Sequence, residues 1–261
     1  MSTAEAEPGS ELSRDAFLGG RLHLWQPRMG YRAGVDPVLL AAATPARHGQ
    51  SVLELGCGAG AASLCLATRV SGLELTGVEL QSFYAELARR NAAENNVAMQ
   101  VVAADLQHLP GDLRARSFDH VIANPPYYER HRSTAAADAG RDVALAGETP
   151  LGNWVDVAAR RLKPKAYLTM IQKADRLPDL ITALAALDGR LGSIRVRPIQ
   201  PREGRVAELV IVQARKGGRA GFVLESALIM HEGLRHEHDG ESYRAQVATI
   251  LRDGGELPWS S

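Results

Sequence analysis

Residues 51–69 constrain the fold of this chain more than any other stretch. An apolar run, Ser51 to Leu55, ends in Gly56-Cys57-Gly58-Ala59-Gly60, and a helical run from Ala61 to Arg69 follows directly. A buried strand that turns through glycines straight into a helix is the opening unit of an open α/β sheet. Glycines at alternate positions permit positive φ and let a ligand approach the backbone closely. The rest of the chain keeps up the alternation, with strands expected at 73–80, 99–103, 118–123 and 166–172 and helices at 83–95, 151–162 and 175–187. Strands separated by helices of this length pair in parallel and carry helices on both faces. Arg190 to Ile199 and Val206 to Ala214, joined by the polar turn Gln200 to Arg205, read as a closing antiparallel pair. The expected fold is α/β and Rossmann-like: a mostly parallel seven-stranded sheet with an antiparallel edge.

At 261 residues the chain suits one sizeable domain, with no internal repeats. Residues 1–16 read as a disordered polar tail and 17–261 as a single domain with an N-terminal helical cap. In that cap Asp36 reads as a helix N-cap, with Pro37 at the first helical position and Val38-Leu39-Leu40-Ala41 after it. Met1 to Ser13 lacks the basic flank and apolar core of a signal peptide, and no run of apolar residues is long enough to span a bilayer. Two cysteines, Cys57 and Cys65, make no disulfide framework and suit a reducing compartment. They have no further ligands at metal-binding spacing. A cytoplasmic monomer or homodimer, working without metal or membrane, is expected.

The glycine loop has two candidate ligands. A dinucleotide wants Gly-x-Gly-x-x-Gly for its pyrophosphate, and the spacing here is Gly-x-Gly-x-Gly. Glu54, just before the loop, would be unfavourable beside a pyrophosphate. Beside the sulfonium and amino group of S-adenosylmethionine it is acceptable. Glu79 ends the second strand, where an acid can accept both ribose hydroxyls; the alternative is a solvent-facing strand end. Asp105, after the third strand, is placed to accept from an adenine amino group, or else to cap its loop.

The fourth strand, Phe118 to Ala123, runs into Asn124-Pro125-Pro126-Tyr127. An exocyclic amino group is a poor nucleophile because its lone pair is delocalised into the ring. The Asn124 side-chain carbonyl and the Pro125 backbone carbonyl offer two acceptors for its two N–H groups. Held so, the nitrogen turns its lone pair to the donor, and the charge that grows on it is stabilised. Pro125 and Pro126 stiffen the turn, and Tyr127 offers a flat face for a flipped or unpaired base. The alternative is a stiff turn without chemistry, against which the upstream glycine loop argues. Together the two motifs predict methyl transfer to a planar nitrogen.

Formal net charge is zero, but charge is unevenly spread. Arg130 and Arg132 follow the proline turn directly and are candidate substrate contacts. Arg190, Arg195, Arg197, Arg202, Arg205, Arg215, Lys216 and Arg219 crowd one stretch, and Arg14, Arg21, Arg28 and Arg32 another. Either a basic face for phosphates or protection of sheet edges would explain them. Residues 128–147 lack periodicity and begin at the proline turn, so a substrate-gating loop is expected there. His231, His236 and His238 fit no metal motif and read as a solvated loop.

These residues together resemble the class I methyltransferases, and the Asn-Pro-Pro-Tyr turn resembles their amino-directed group. The segment Tyr31-Arg32-Ala33-Gly34-Val35-Asp36-Pro37-Val38-Leu39-Leu40-Ala41 is similar to the opening of the bacterial tRNA1(Val) adenine-37 N6-methyltransferase family, and Ala207 to Gly217 and Glu241 to Arg252 to its end. The resemblance implies S-adenosylmethionine as donor and tRNA as partner. By position, Asn124 and Pro125 would hold the amino group and Tyr127 would stack on the base. Glu79 would take the donor's ribose, Asp105 its adenine, and Asp36 would help close the donor pocket. Lys163-Pro164-Lys165-Ala166 departs from the family's glycine turn before the fifth strand, and Val143 to Glu148 matches only in part. The same chemistry leaves open N5-methylation of a protein glutamine and N2-methylation of an rRNA guanine. Glutamine enzymes usually carry an N-terminal helical domain, and only some twenty-five residues precede the fold's opening here. A donor-binding RNA-associated factor without catalysis is the non-enzymatic alternative.

Overall fold

A computed structural model of the chain describes residues 11–127, 149–233 and 242–260. Their elements begin with strands β1 (Leu12–Phe17) and β2 (Leu22–Pro27), then helix α1 (Asp36–Ala43). Next come β3 (Ser51–Leu55), α2 (Ala61–Arg69), β4 (Glu74–Glu79), α3 (Ser82–Glu94) and β5 (Met99–Ala103). A short helix α4 (Gly111–Ala115) precedes β6 (Phe118–Ala123), and α5 (Leu151–Arg161), β7 (Leu162–Lys173) and α6 (Leu177–Ala185) follow. The chain closes with β8 (Leu191–Gln200), β9 (Leu209–Lys216), β10 (Val223–Leu224), β11 (Leu228–Ile229) and α7 (Ala245–Asp253).

The seven long strands β3 to β9 form the expected sheet, in the order β8-β9-β7-β6-β3-β4-β5. β5, β4, β3, β6 and β7 are parallel, and β9 pairs antiparallel with both β7 and β8. Two-residue strands β10 and β11 add to the outer edge of β8, giving nine strands among the described residues.

The inner strands are apolar throughout because both faces are covered. Side chains alternate between those faces. Val52, Ile122 and Ile171 join Leu40, Leu64 and Val247 on the side of α1, α2 and α7. Leu53, Val121 and Met170 join Leu113, Val155 and Leu184 on the side of α4, α5 and α6. The chain's end crosses back to α1, where Leu257 N donates to Ala42 O at 2.9 Å and Trp259 Nε1 to Ala43 O at 2.8 Å.

The departure at Lys163-Pro164-Lys165 has a local solution. β7 runs through it, the register against β6 shifts between Phe118 and His120, and Lys165 takes φ +68°, the left-handed conformation glycine favours.

The N-terminus corrects the expected boundary. Leu12–Phe17, assigned to a disordered tail and its junction, is instead a strand paired antiparallel with β2, so the cap is a hairpin followed by one helix. Its charged residues pair at the surface: Arg14 meets Glu94 at 2.6 Å and Arg32 meets Asp15 at 2.6 Å. The hairpin is held to α3 by two asparagines one turn apart. Asn91 Oδ1 accepts from Trp25 N (2.8 Å) and its Nδ2 donates to Trp25 O (3.1 Å). Asn95 does the same with His23, at 3.0 and 2.7 Å. Four residues of helix rise about 6 Å, close to the roughly 6.8 Å between alternate strand residues, so two amides imitate the edge of a neighbouring strand. Asn91 also donates to Ala59 O at 2.9 Å, which links the hairpin to the glycine loop.

Asn91→Ala is therefore expected to cost about 2–3 kcal/mol, because it strands buried backbone groups as well as deleting bonds. Urea unfolding should show a lower midpoint, and limited proteolysis should open residues 12–30 first. A wild-type midpoint with wild-type protease resistance would refute the amide-clamp account.

Candidate active site

β3 and β6 are parallel neighbours with Leu55 opposite Ala123, so the glycine loop and Asn124 leave the sheet side by side. From β3 the chain steps outward to β4 and β5, then returns to build β6 and β7 on the other flank. A reversal of strand order opens a crevice at the carboxyl ends, where sheets of this kind bind ligands. Glu79 ends β4 at the same edge.

Each glycine of the loop needs to be one. Gly56, Gly58 and Gly60 have φ of +64°, +53° and +86°. A Cβ on Gly56 would stand 2.5 Å from the Trp154 ring of α5, and Gly60 is the N-cap of α2. Glu79 is buried, with Oε2 accepting from Gly58 N and Oε1 from Gln81 N, both at 2.9 Å. A carboxylate has about four acceptor sites, so two remain for a ligand's hydroxyls. Beside it Leu80 is 57% exposed, an apolar face next to a buried acid. In the sequence, the signal for Leu80 is its place directly after an acidic strand end.

Glu54, expected beside a ligand's cation, shares the alternation of Val52 and so faces α2. It is buried, and its Oε2 accepts from Ser63 N at 3.0 Å and Ser63 Oγ at 2.5 Å. Burial pushes its carboxyl up to about 7 against the pull of the Ser63 bonds, and the nearby Glu79 charge adds to the rise. Asp105 caps its own loop: its carboxylate accepts from Gln107 N at 2.8 Å and meets His108 Nδ1 at 3.0 Å. The Gln107 backbone bond comes first among the contacts that hold its carboxyl below the usual range.

On the β6 side, Gln172 Nε2 donates to Pro125 O at 3.3 Å, which leaves that carbonyl one lone pair free. Asn124 Nδ2 donates to the Tyr31 hydroxyl at 3.4 Å, and Asn124 Oδ1 lies 3.2 Å from the Tyr127 hydroxyl. Pro126 is exposed. Tyr127 donates its hydroxyl to Asp36 Oδ2, and Lys173 Nζ lies 5.5 Å from its ring centre. Burial and the Asp36 carboxylate both push the Tyr127 phenol up, so it stays protonated. Asp36 is not the expected N-cap but the first residue of α1, with Val35 in the cap position. Its carboxylate serves the proline turn instead.

Tyr31 joins the site although its residue type alone does not mark it. As a residue Tyr31 is 54% exposed, and its ring Cε1 would be 3.6 Å from a Cβ on Gly58. Asn124, Pro125, Tyr127, Asp36, Glu79 and the glycines thus line one crevice. Arg130, Arg132 and the expected loop at 128–147 lie outside the described residues, as do His236 and His238. His231 stacks on Tyr243. No helix of the described residues is long and apolar enough to cross a membrane.

The arginine-rich stretch belongs largely to the framework. Arg195 and Arg197 meet the buried Glu225 at 2.8 and 3.3 Å, and Arg190 meets Asp156 at 2.8 Å. Arg202 donates to Glu232 O and Ser242 Oγ, Arg215 to Lys165 O, and Lys216 to Ala159 O and Leu162 O.

The methyltransferase small domain family matches residues 33–176. The tRNA1(Val) (adenine(37)-N6)-methyltransferase of Porphyromonas gingivalis is 33% identical over 196 residues, covering 70% of this chain and 76% of that protein. The protein of the same name from Haemophilus influenzae is 30% identical over 159 residues, covering 59% and 67%. Among solved structures, a predicted O-methyltransferase from Agrobacterium tumefaciens superposes with a TM-score of 0.68 at 26% identity, covering 87% of this chain and 100% of its own. A Thermus thermophilus 16S rRNA N2 methyltransferase, solved with AdoMet and guanosine, gives 0.52 at 20% identity, covering 79% and 50%, and shares the fold.

Glu54 gives the site a pH signature. Its folded-state value of about 7 lies above the ordinary 4.5, so the native state holds this proton more tightly than the unfolded chain. The resulting stability is complete below the unfolded value and is lost as pH rises through the folded one. Glu54→Gln removes that loss, so its melting temperature relative to wild type should climb between pH 4.5 and 7 and then level off. A difference that stays constant across this range would show that Glu54 does not titrate there.

Proposed function

The chain belongs to the methyltransferase small domain family, and from that we propose that it transfers a methyl group from S-adenosylmethionine to the N6 amino group of an adenine in tRNA. The observation that carries the reading is the pair of carbonyls, Asn124 Oδ1 and Pro125 O, set beside the glycine loop at the carboxyl edge of β3 and β6. The names of the similar proteins support tRNA as the substrate class and make adenine 37 of tRNA1(Val) the first position to check.

The crevice suits the donor. Glu79 keeps two acceptor sites for ribose hydroxyls, Leu80 offers an apolar face to a planar ring, and the glycine loop admits close backbone approach. Asp105 retains acceptor capacity for an adenine amino group beyond its cap bonds, and Asp36 supplies negative potential. Bound there, S-adenosylmethionine supplies an electrophilic methyl group on a positively charged sulfur.

Asn124 Oδ1 and Pro125 O accept the two N–H groups of the adenine and turn the nitrogen's lone pair to the methyl. They also stabilise the positive charge that develops on that nitrogen. Tyr127 stacks on the base, with Lys173 beside its ring. Arg130 and Arg132, which follow the proline turn in sequence, are the expected phosphate contacts. The methylated nitrogen becomes acidic and loses its proton to water, so no protein base is required. A hydroxyl acceptor fits this pair less well, because it brings a single O–H to two carbonyls.

Tritium transfer from S-adenosylmethionine to tRNA, rRNA and protein fractions tests the reading. Label should appear in tRNA and be recovered as N6-methyladenosine. Asn124→Ala should lower the rate about 100-fold or more, while calorimetry shows donor binding intact. Label confined to protein glutamine or to rRNA N2-methylguanosine would replace the adenine assignment. Full activity in Asn124→Ala would remove the amino-holding mechanism.

A further inference from the structure

Tyr31 is the side chain that bridges the two halves of the crevice. Its backbone carbonyl accepts from the Tyr84 hydroxyl at 3.1 Å, and the two rings meet edge to face at 6.3 Å. That anchorage on α3 lays the Tyr31 ring over Gly58 and brings its hydroxyl within 3.4 Å of Asn124 Nδ2. The residue as a whole stays half exposed, so core packing alone does not explain why an aromatic side chain stands there.

We propose that Tyr31 is a positioning residue for methyl transfer: its hydroxyl accepts from the amide nitrogen of Asn124 and so holds that amide in the position in which Oδ1 meets the acceptor. This rests on the amino-directed reading given above. A side-chain amide has two nearly isosteric ends of opposite polarity. Turned the wrong way, Asn124 would present its own N–H₂ to the adenine's N–H₂, and the acceptor pair would become a donor facing a donor. Tyr31 gives the nitrogen a partner on the glycine-loop side, which leaves the oxygen for the substrate. Asp36 completes the arrangement. A tyrosine hydroxyl has one proton, and the Asp36 carboxylate is a stronger acceptor for it than the neutral Asn124 amide. With the Tyr127 proton shared between Asp36 Oδ2 and Asn124 Oδ1, the amide oxygen keeps its second lone pair for the substrate. The segment from Tyr31 to Asp36 therefore orients both acceptor-side residues, Asn124 through its nitrogen and Tyr127 through its hydroxyl.

A double-mutant cycle separates this from a general packing role. Tyr31→Phe keeps the ring over Gly58 and deletes only the hydroxyl. In the wild-type background kcat should fall about tenfold, as expected for loss of one orienting hydrogen bond in the transition state. The KM for S-adenosylmethionine and the melting temperature should stay unchanged. In an Asn124→Ala background, single-turnover transfer should change by less than about twofold, because the partner through which Tyr31 acts is gone. An unchanged kcat in Tyr31→Phe, an equal loss in both backgrounds, or a loss confined to the donor KM would each overturn the proposal. A wild-type rate in Asn124→Ala alone would instead overturn the amino-holding role, and that of Tyr31 with it.

Discussion

The parallel pairing of β3 with β6 is the contact on which the rest of the structure depends. Leu55 lies opposite Ala123, and from these adjacent points the chain leaves the sheet twice, once as the glycine loop and once as the proline turn. All five residues of β3 are buried, as are five of the six in β6. Burying a Val or Leu side chain contributes about 1.5–3 kcal/mol, so this pair has little freedom to slip. A slip of one residue would turn Leu53 and Leu55 from one face to the other and carry Glu54 with them. The register that satisfies the core therefore also sets the spacing of donor-side and acceptor-side groups.

The N-terminal segment depends on that pair in turn. It holds no place in the large sheet, yet it reaches the crevice through three fixed points. Asn91 and Asn95 clamp the hairpin to α3, Tyr84 holds the Tyr31 carbonyl, and α1 opens at Asp36, whose carboxylate meets Tyr127 of the proline turn. Asn91 is shared between Trp25 and Ala59, so one buried side chain ties the hairpin to the glycine loop. Movement of the hairpin cannot leave the loop untouched while Asn91 keeps both bonds.

The sheet was legible because its signals are local and strong. Apolar runs bounded by glycine or by helical periodicity placed all seven long strands, and the two motifs marked the carboxyl edge. The hairpin was not legible. Leu12 to Phe17 includes Ser13, Arg14 and Asp15, whose polarity is neutralised by partners far along the chain, Glu94 and Arg32 among them. A strand that pairs with asparagine side chains on a helix leaves no periodic mark of its partner. The same limit applied inside the site. Residue types pointed to Asn124 and Glu79, whereas the bonds of Asp36 to Tyr127 and of Glu54 to Ser63 depend on which way two carboxylates face. For Glu54 the strand alternation with Val52 held that information; for Asp36 the cap reading of Asp-Pro competed with it and gave the side chain to the wrong partner.

Charge shows how a chain of zero net charge can serve a cationic donor and a polyanionic acceptor. Two carboxylates, Asp36 and Glu79, line the crevice and a third, Glu54, is buried behind it toward α2; like charges so close would be costly if left bare. Each is met by donors of a different kind: a phenol for Asp36, a serine hydroxyl and amide for Glu54, and two loop amides for Glu79. Neutral donors offset the burial of Asp36 and Glu79 without cancelling their charge, so the crevice keeps a negative potential that arginine partners would have erased. Six cations of the 190–219 stretch are meanwhile bound to carbonyls, hydroxyls and acids of the framework, which fastens the antiparallel edge of the sheet. Close to the proline turn, Lys173 is exposed beside Tyr127, and its charge is directed to the mouth of the site rather than to its floor. Acid at the floor and base at the rim is the order in which a sulfonium and then a phosphate backbone would be met.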